Sequence, residues 1–127
     1  MTAPPPRGCR TWFIAEGYIP ADDGEEDRRF VGHETACVLN AGDENAHLRI
    51  TLYFTDREPV GPYRVQVPAR RTLHLRFNDL DDPERVPRDT DYASMIESDV
   101  PVVVQHTRLD TRRQALGLLS TIAYPGS

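Results

Sequence analysis

The stretch "VPVVVQHTRLD" (residues 100–110) decides how this chain is read. Three successive valines, Val102 to Val104, suit the buried middle of a β-strand. Four hydrogen-bonding side chains follow, Gln105, His106, Thr107 and Arg108, where a turn would be expected. In extended chain, Gln105 and Thr107 point to one side and His106 and Arg108 to the other. A buried polar group without a partner costs about 1–3 kcal/mol. The end of this strand therefore opens to solvent, meets another subunit or lines a polar pocket.

The same β patterning runs outward from this segment. "RTWFIAEG" (10–17) reads as a first strand, followed by an acidic, glycine-containing loop, "PADDGEEDRR" (20–29). Residues 35–40 read as a strand, and "LRITLYFTD" alternates Leu48, Ile50, Leu52 and Phe54 against Arg49, Thr51, Tyr53 and Thr55. A turn at Ala41-Gly42-Asp43 between these two predicts a hairpin with a loop of more than two residues. "YRVQVP" and "RTLHLRF" give two further strands, and "LGLLSTIAY" one near the end. Helical patterning is confined to "YASMIES" (92–98), one or two turns, and "LDTRRQALG" (109–117). The expectation is an all-β fold, an antiparallel β-sandwich of seven to eight short strands in a single domain over 10–127, preceded by a proline-stiffened tail over 1–9.

A chain of 127 residues is long enough for one core without metals or disulfides. The apolar runs are too short to span a bilayer as a helix, and the start lacks a secretory signal pattern. Net charge is −5, which argues against nonspecific binding to nucleic acid or anionic lipid. All 15 basic residues are arginine, so every surface cation is a planar, forked donor. Cys9 and Cys37 lack metal-ligand spacing and read as free thiols in a reducing cytoplasm. His33, His47, His74 and His106 show no paired spacing, so no metal is expected, although distant ligands can converge in a β fold. No cofactor is expected, nor an enzyme: there is no GxSxG, Walker loop or dinucleotide fingerprint.

Four clusters could bind a ligand. In "ARRTLHLRFN" (69–78), Arg70, Thr72, His74, Arg76 and Asn78 share one face, and residues 63–78 contain four arginines and no carboxylate. Such a stripe, with Arg71 beside it, suits a carboxylate, phosphate or polyhydroxyl ligand, or else a solvated face or subunit interface. Gln105, His106, Thr107 and Arg108 form the second cluster. His33, beside Glu34, is the third. Trp12 and Glu16, on one strand parity, form the fourth, either a sugar-stacking pair or a core tryptophan with an exposed acid.

Taken together, "AEGYIP", "HETACVLNAGDENAH", "YFTDREPVGPYR", "VPARRT", "RFNDL", "DTDYAS", "VVVQHTRLD" and "LLSTIAY" resemble the sensory rhodopsin transducer family across residues 10–124. The resemblance implies a sandwich-like all-β domain, a homotetramer in the cytoplasm, and a signalling role. The signal would come from a membrane sensory rhodopsin or from a small anionic or polyhydroxyl ligand. A link to DNA is also suggested for the family, and net charge −5 counts against it here. The family's shared polar positions fall on Trp12, Glu16, His33, Arg70, Arg71, Arg76, Asn78, Gln105, His106, Thr107 and Arg108. The expectation is that the Arg70–Asn78 stripe and the end of the valine strand line one pocket or one subunit junction.

Overall fold

The computed structural model describes residues 7–111 and 117–127. Eight strands form the frame: β1 (Cys9–Tyr18), β2 (His33–Asn40), β3 (Ala46–Phe54), β4 (Val60–Val67), β5 (Arg71–Arg76), β6 (Asp91–Asp110), β7 (Gly117–Ile122) and β8 (Tyr124–Pro125). Every pairing among the described residues is antiparallel, and the fold is all-β as expected.

The valine segment is the second half of β6, a strand of 20 residues. Its first half lies between β1 and β3, and its second half between β2 and β7. β6 thus belongs to two leaves, one ordered β4-β3-β6-β1-β8 and the other β5-β2-β6-β7. The changeover falls near Pro101. Between Thr11↔Glu97 and Cys9↔Val102 the register slips, so β6 carries extra residues there. A bulge is one of the few places where a sheet accepts proline.

Both leaves feed one core. Trp12, Ile14, Leu48, Ile50 and Ile96 come from the first leaf, Ala36, Val38 and Val104 from the second, and Phe77 from the turn just after β5. The Trp12 indole N–H donates to Val102 O at 2.9 Å and Cys9 O at 3.0 Å, tying β1 to the bulged part of β6.

Two expectations are corrected. "YASMIES" is strand: Tyr92, Ser94, Ile96 and Ser98 are buried in alternation, and pairing on both edges overrides a weak helical pattern. The turn after Asn40 makes no hairpin, because β2 pairs with β5 and β6 while β3 pairs with β4 and β6. The chain instead arches from one leaf to the other. Asn40 pins the arch, its buried amide donating to Glu44 O (2.8 Å), Val67 O (3.1 Å) and Pro68 O (3.3 Å). Of the helix candidate at 109–117, Leu109 and Asp110 close β6 and Gly117 opens β7, while 112–116 lie outside the described residues. Of the tail at 1–9, residues 1–6 also lie outside them, and Cys9 already pairs in β1, opposite Val102.

Ile96 is fully buried where the first leaf is densest, opposite Trp12 on one side and Ile50 on the other. Ile96→Ala is expected to destabilise the fold by about 2–5 kcal/mol, read as a lower urea midpoint at unchanged slope.

Candidate functional site

The polar end of the valine strand divides as strand geometry requires. His106 and Arg108 turn inward, and Gln105 and Thr107 outward. The inward pair meets a carboxylate with no solvent access, Glu34, whose Cα partner in the ladder is Arg108. Glu34 Oε1 accepts from Arg108 Nε at 2.6 Å and from the Tyr18 backbone N–H at 2.7 Å. Glu34 Oε2 pairs with His106 Nε2. Three strands, β1, β2 and β6, are therefore joined through one side chain.

Arg108 reaches on toward Glu16, with Nη1 at 3.4 Å from Oε1, and its guanidinium stacks over the Tyr18 ring at 5.9 Å. Burial pulls the Arg108 pKa down. The hydrogen bonds and charges of Glu34 and Glu16 outweigh that, and the net shift is upward. Tyr92 faces the same region with its phenol buried; desolvation and the Glu34 charge push its pKa well up, so the hydroxyl stays protonated. Its ring passes β1 at Gly17, where a Cβ would sit 2.5 Å from Tyr92 Cε2. Two polar atoms here, Tyr92 Oη and Arg108 Nη2, are buried with no hydrogen-bond partner among the described residues. A cleft of about 200 Å3 between β1 and the β7–β8 segment has His106 and Glu16 in its lining.

The sequence candidates separate into groups. His106 and Arg108 gather on Glu34, and Glu16 reaches the cluster through Arg108. Asn78 stands behind it, its Oδ1 accepting from the Glu34 N–H at 3.3 Å and its Nδ2 donating to Gly32 O at 3.1 Å. Trp12 is a buried core residue bonded to backbone, with its ring in the interior. His33 and Arg76 lie on the outward face of the second leaf. The His33 ring bonds Val31 O at 2.7 Å, and desolvation, with the Arg76 and Arg28 charges, lowers its pKa. Arg76 donates to Arg28 O at 2.9 Å.

Arg70 and Arg71 do not join them. Arg70 sits at a turn with φ 55°, its side chain 73% exposed and paired with Asp43 at 3.2 Å, and Arg71 is the exposed partner of Asn40 at the opposite end of β2 from Glu34. Gln105 and Thr107 face outward. The group expected to line one pocket or one subunit junction is divided: Thr72, His74 and Arg76 share the outward face with Gln105 and Thr107, His106 and Arg108 turn inward to Glu34, and Arg70 and Arg71 stand at the far end of β2.

Glu34 and Tyr92 are the residues that sequence reasoning underrated. The signal was present in "HETACVLN": Glu34 shares the inward parity of Ala36 and Val38, so a lone acid on a core face demanded a buried partner.

The outward face of the second leaf is nearly free of charge. Its rows are Thr72–Leu39–Val103, His74–Cys37–Gln105–Ile122 and Arg76–Thr35–Thr107–Ser120. Leu39 and Ile122 are 44% and 58% exposed on it, and Leu118, Leu119 and Tyr124 add exposed apolar surface on β7 and β8.

A family model described as "Anabaena sensory rhodopsin transducer" matches residues 7–125. The chain belongs to the Anabaena sensory rhodopsin transducer family. Among solved structures it is similar to "Anabaena sensory rhodopsin transducer", with 62% identity, TM-score 0.76, and coverage of 84% of this chain and 93% of that one. It is also similar to "Crystal Structure of Thermotoga maritima 1070", at 39% identity, TM-score 0.82, and coverage of 94% and 96%. No curated protein matches. No helix among the described residues of this transducer family member is long and apolar enough to cross a membrane.

Removing one partner of a buried ion pair strands the other, at a cost of about 3–5 kcal/mol. Arg108→Ala is expected to destabilise the fold by that order. Combining it with Glu34→Leu should recover most of the loss, since no unpaired carboxylate is left. Denaturant unfolding of the single and double variants checks this, and additive losses would contradict the coupling.

Proposed function

We propose that this protein is a signal transducer that works as a homotetramer in the cytoplasm and takes its signal from a membrane sensory rhodopsin. Family membership supports the signalling role. The tetramer is carried by one observation: in a chain with 28% charged residues, the outer face of the β5-β2-β6-β7 leaf offers Arg76 as the sole formally charged side chain across three rows. A solvated sheet face mixes charges of both signs, whereas a face that packs on another copy is depleted of them. Gln105 and Thr107 belong to this surface, as hydrogen-bonding groups at a subunit junction. β7, exposed along its length, extends the same surface. The transducer is no enzyme in this reading. It changes the rhodopsin contact or its own assembly, and any DNA effect is secondary to that signal.

A second reading is favoured by the cleft beside the Glu34 network. A small carboxylated or polyhydroxyl metabolite bound there would meet Glu16 and His106 in its lining. Here the chain is a ligand sensor with no rhodopsin partner.

Light scattering should give four times the 14.4 kDa chain mass, and Ile122→Arg should yield smaller species that remain folded. The intact tetramer should bind membranes containing the retinal protein encoded nearest to it, and lose part of that binding on illumination. A monomeric wild-type chain ends the tetramer proposal. Absence of rhodopsin binding, together with a metabolite that raises the melting temperature in the wild type but not in Glu16→Ala, selects the sensor instead.

A further inference from the structure

On the outer face of the other leaf, Arg64, Arg49 and Glu97 stand in one row. Arg64 is directly opposite Arg49 across β4 and β3, and Arg49 is directly opposite Glu97 across β3 and β6. Like charges placed opposite each other weaken an antiparallel pair. Five other described arginines have acidic partners: Arg28 with Asp79, Arg29 with Asp27, Arg57 with Glu84, Arg70 with Asp43 and Arg108 with Glu34. The side chains of Arg49, Arg64 and Glu97 make no hydrogen bond or ion pair with any described residue. Asp99, the next acid on this face, is occupied by His47, whose backbone N–H and ring Nδ1 both lie 2.8 Å from its carboxylate. It is held to that contact strongly enough that its pKa falls, first through the His47 N–H.

The row lines a groove of about 550 Å3 that His47, Gln66 and Asp99 extend. That volume lies inside the range of about 300–1,000 Å3 usual for small-molecule sites. Two unneutralised guanidinium groups side by side present several N–H donors toward one anionic group, the arrangement that grips a carboxylate. Neighbouring strands are about 4.8 Å apart, so a carboxylate over the arginine pair brings the substituent of the adjacent carbon toward Glu97. Glu97, an acceptor only, repels a second negative charge and takes a hydroxyl or ammonium donor.

We infer that this groove binds a small organic acid carrying a hydroxyl or ammonium group on the carbon next to its carboxylate. Arg49 and Arg64 hold the carboxylate, and Glu97 selects for the neighbouring donor. The site lies on the outer face of the β4-β3-β6-β1-β8 leaf, apart from the Glu34 network and from the uncharged face, so it stands or falls independently of both.

Isothermal titration of the full chain with L-malate, L-glutamate and succinate tests it; succinate keeps the carboxylates and lacks the donor. Saturable binding of L-malate or L-glutamate is expected, with succinate weaker by about tenfold or more, the loss of one charge-assisted hydrogen bond. Arg49→Ala and Arg64→Ala should each weaken binding by about tenfold or more on the same basis. Glu97→Gln should erase the preference over succinate, and Arg70→Ala should change nothing. Both arginines are exposed, so unliganded melting curves should match the wild type and exclude unfolding as the cause. No saturable heat from either donor-bearing acid, succinate binding as tightly as malate, or a wild-type Kd in the Arg49→Ala/Arg64→Ala chain overturns the assignment.

Discussion

A carboxylate removed from water must be met by donors, and Glu34 is met by donors from three strands. Arg108 and His106 reach it from β6, and the Tyr18 backbone reaches it from β1. The contact is local on no element: the partners are separated by 16 to 74 residues in sequence. It closes the end of the fold where the two leaves part and β1 must bridge them. The Gly17–Tyr92 approach and the Asn78 contact to the Glu34 N–H are built around the same point. Hydrophobic burial supplies most of the driving force for folding, but it is indifferent to register. A buried ion cluster is not, because a one-residue slip would turn Glu34 to the outside.

The other constraint is β6 itself. By belonging to both leaves it makes their relative placement covalent. Its inward residues change character along its length, from Tyr92 and Ser94 through Ile96 and Val104 to His106 and Arg108. The outward residues change too, from Glu97 on the charged face to Gln105 and Thr107 on the uncharged one. One strand thus separates two surfaces with different chemistry: an amphoteric groove on one leaf and a neutral plane on the other.

Much of this was legible in the chain. Period-two alternation marked β3 and β5, and the valine run marked β6, because a half-buried strand imposes that pattern residue by residue. The opposite facing of Gln105 and Thr107 against His106 and Arg108 followed from parity alone. Strand partners were not legible in the same way. The turn at Ala41-Gly42-Asp43 has hairpin composition, yet Asn40 uses its buried amide to turn the chain across to the other leaf. "YASMIES" has too few residues for its period to be decisive, and the ladders on both its edges decided it.

The amino-acid order by itself determined the family, the all-β class, the strand parities and the identity of the polar groups at the end of the valine strand. These are local or pairwise-additive properties, carried by each residue and its near neighbours. Only the tertiary structure decided which polar groups share a site: His106 and Arg108 on Glu34, Glu16 on Arg108, Arg70 and Arg71 at the far end of β2, Arg49 beside Arg64. Those outcomes depend on strand order and register, and burial of one core shared by two leaves fixes them over separations that no sequence window spans.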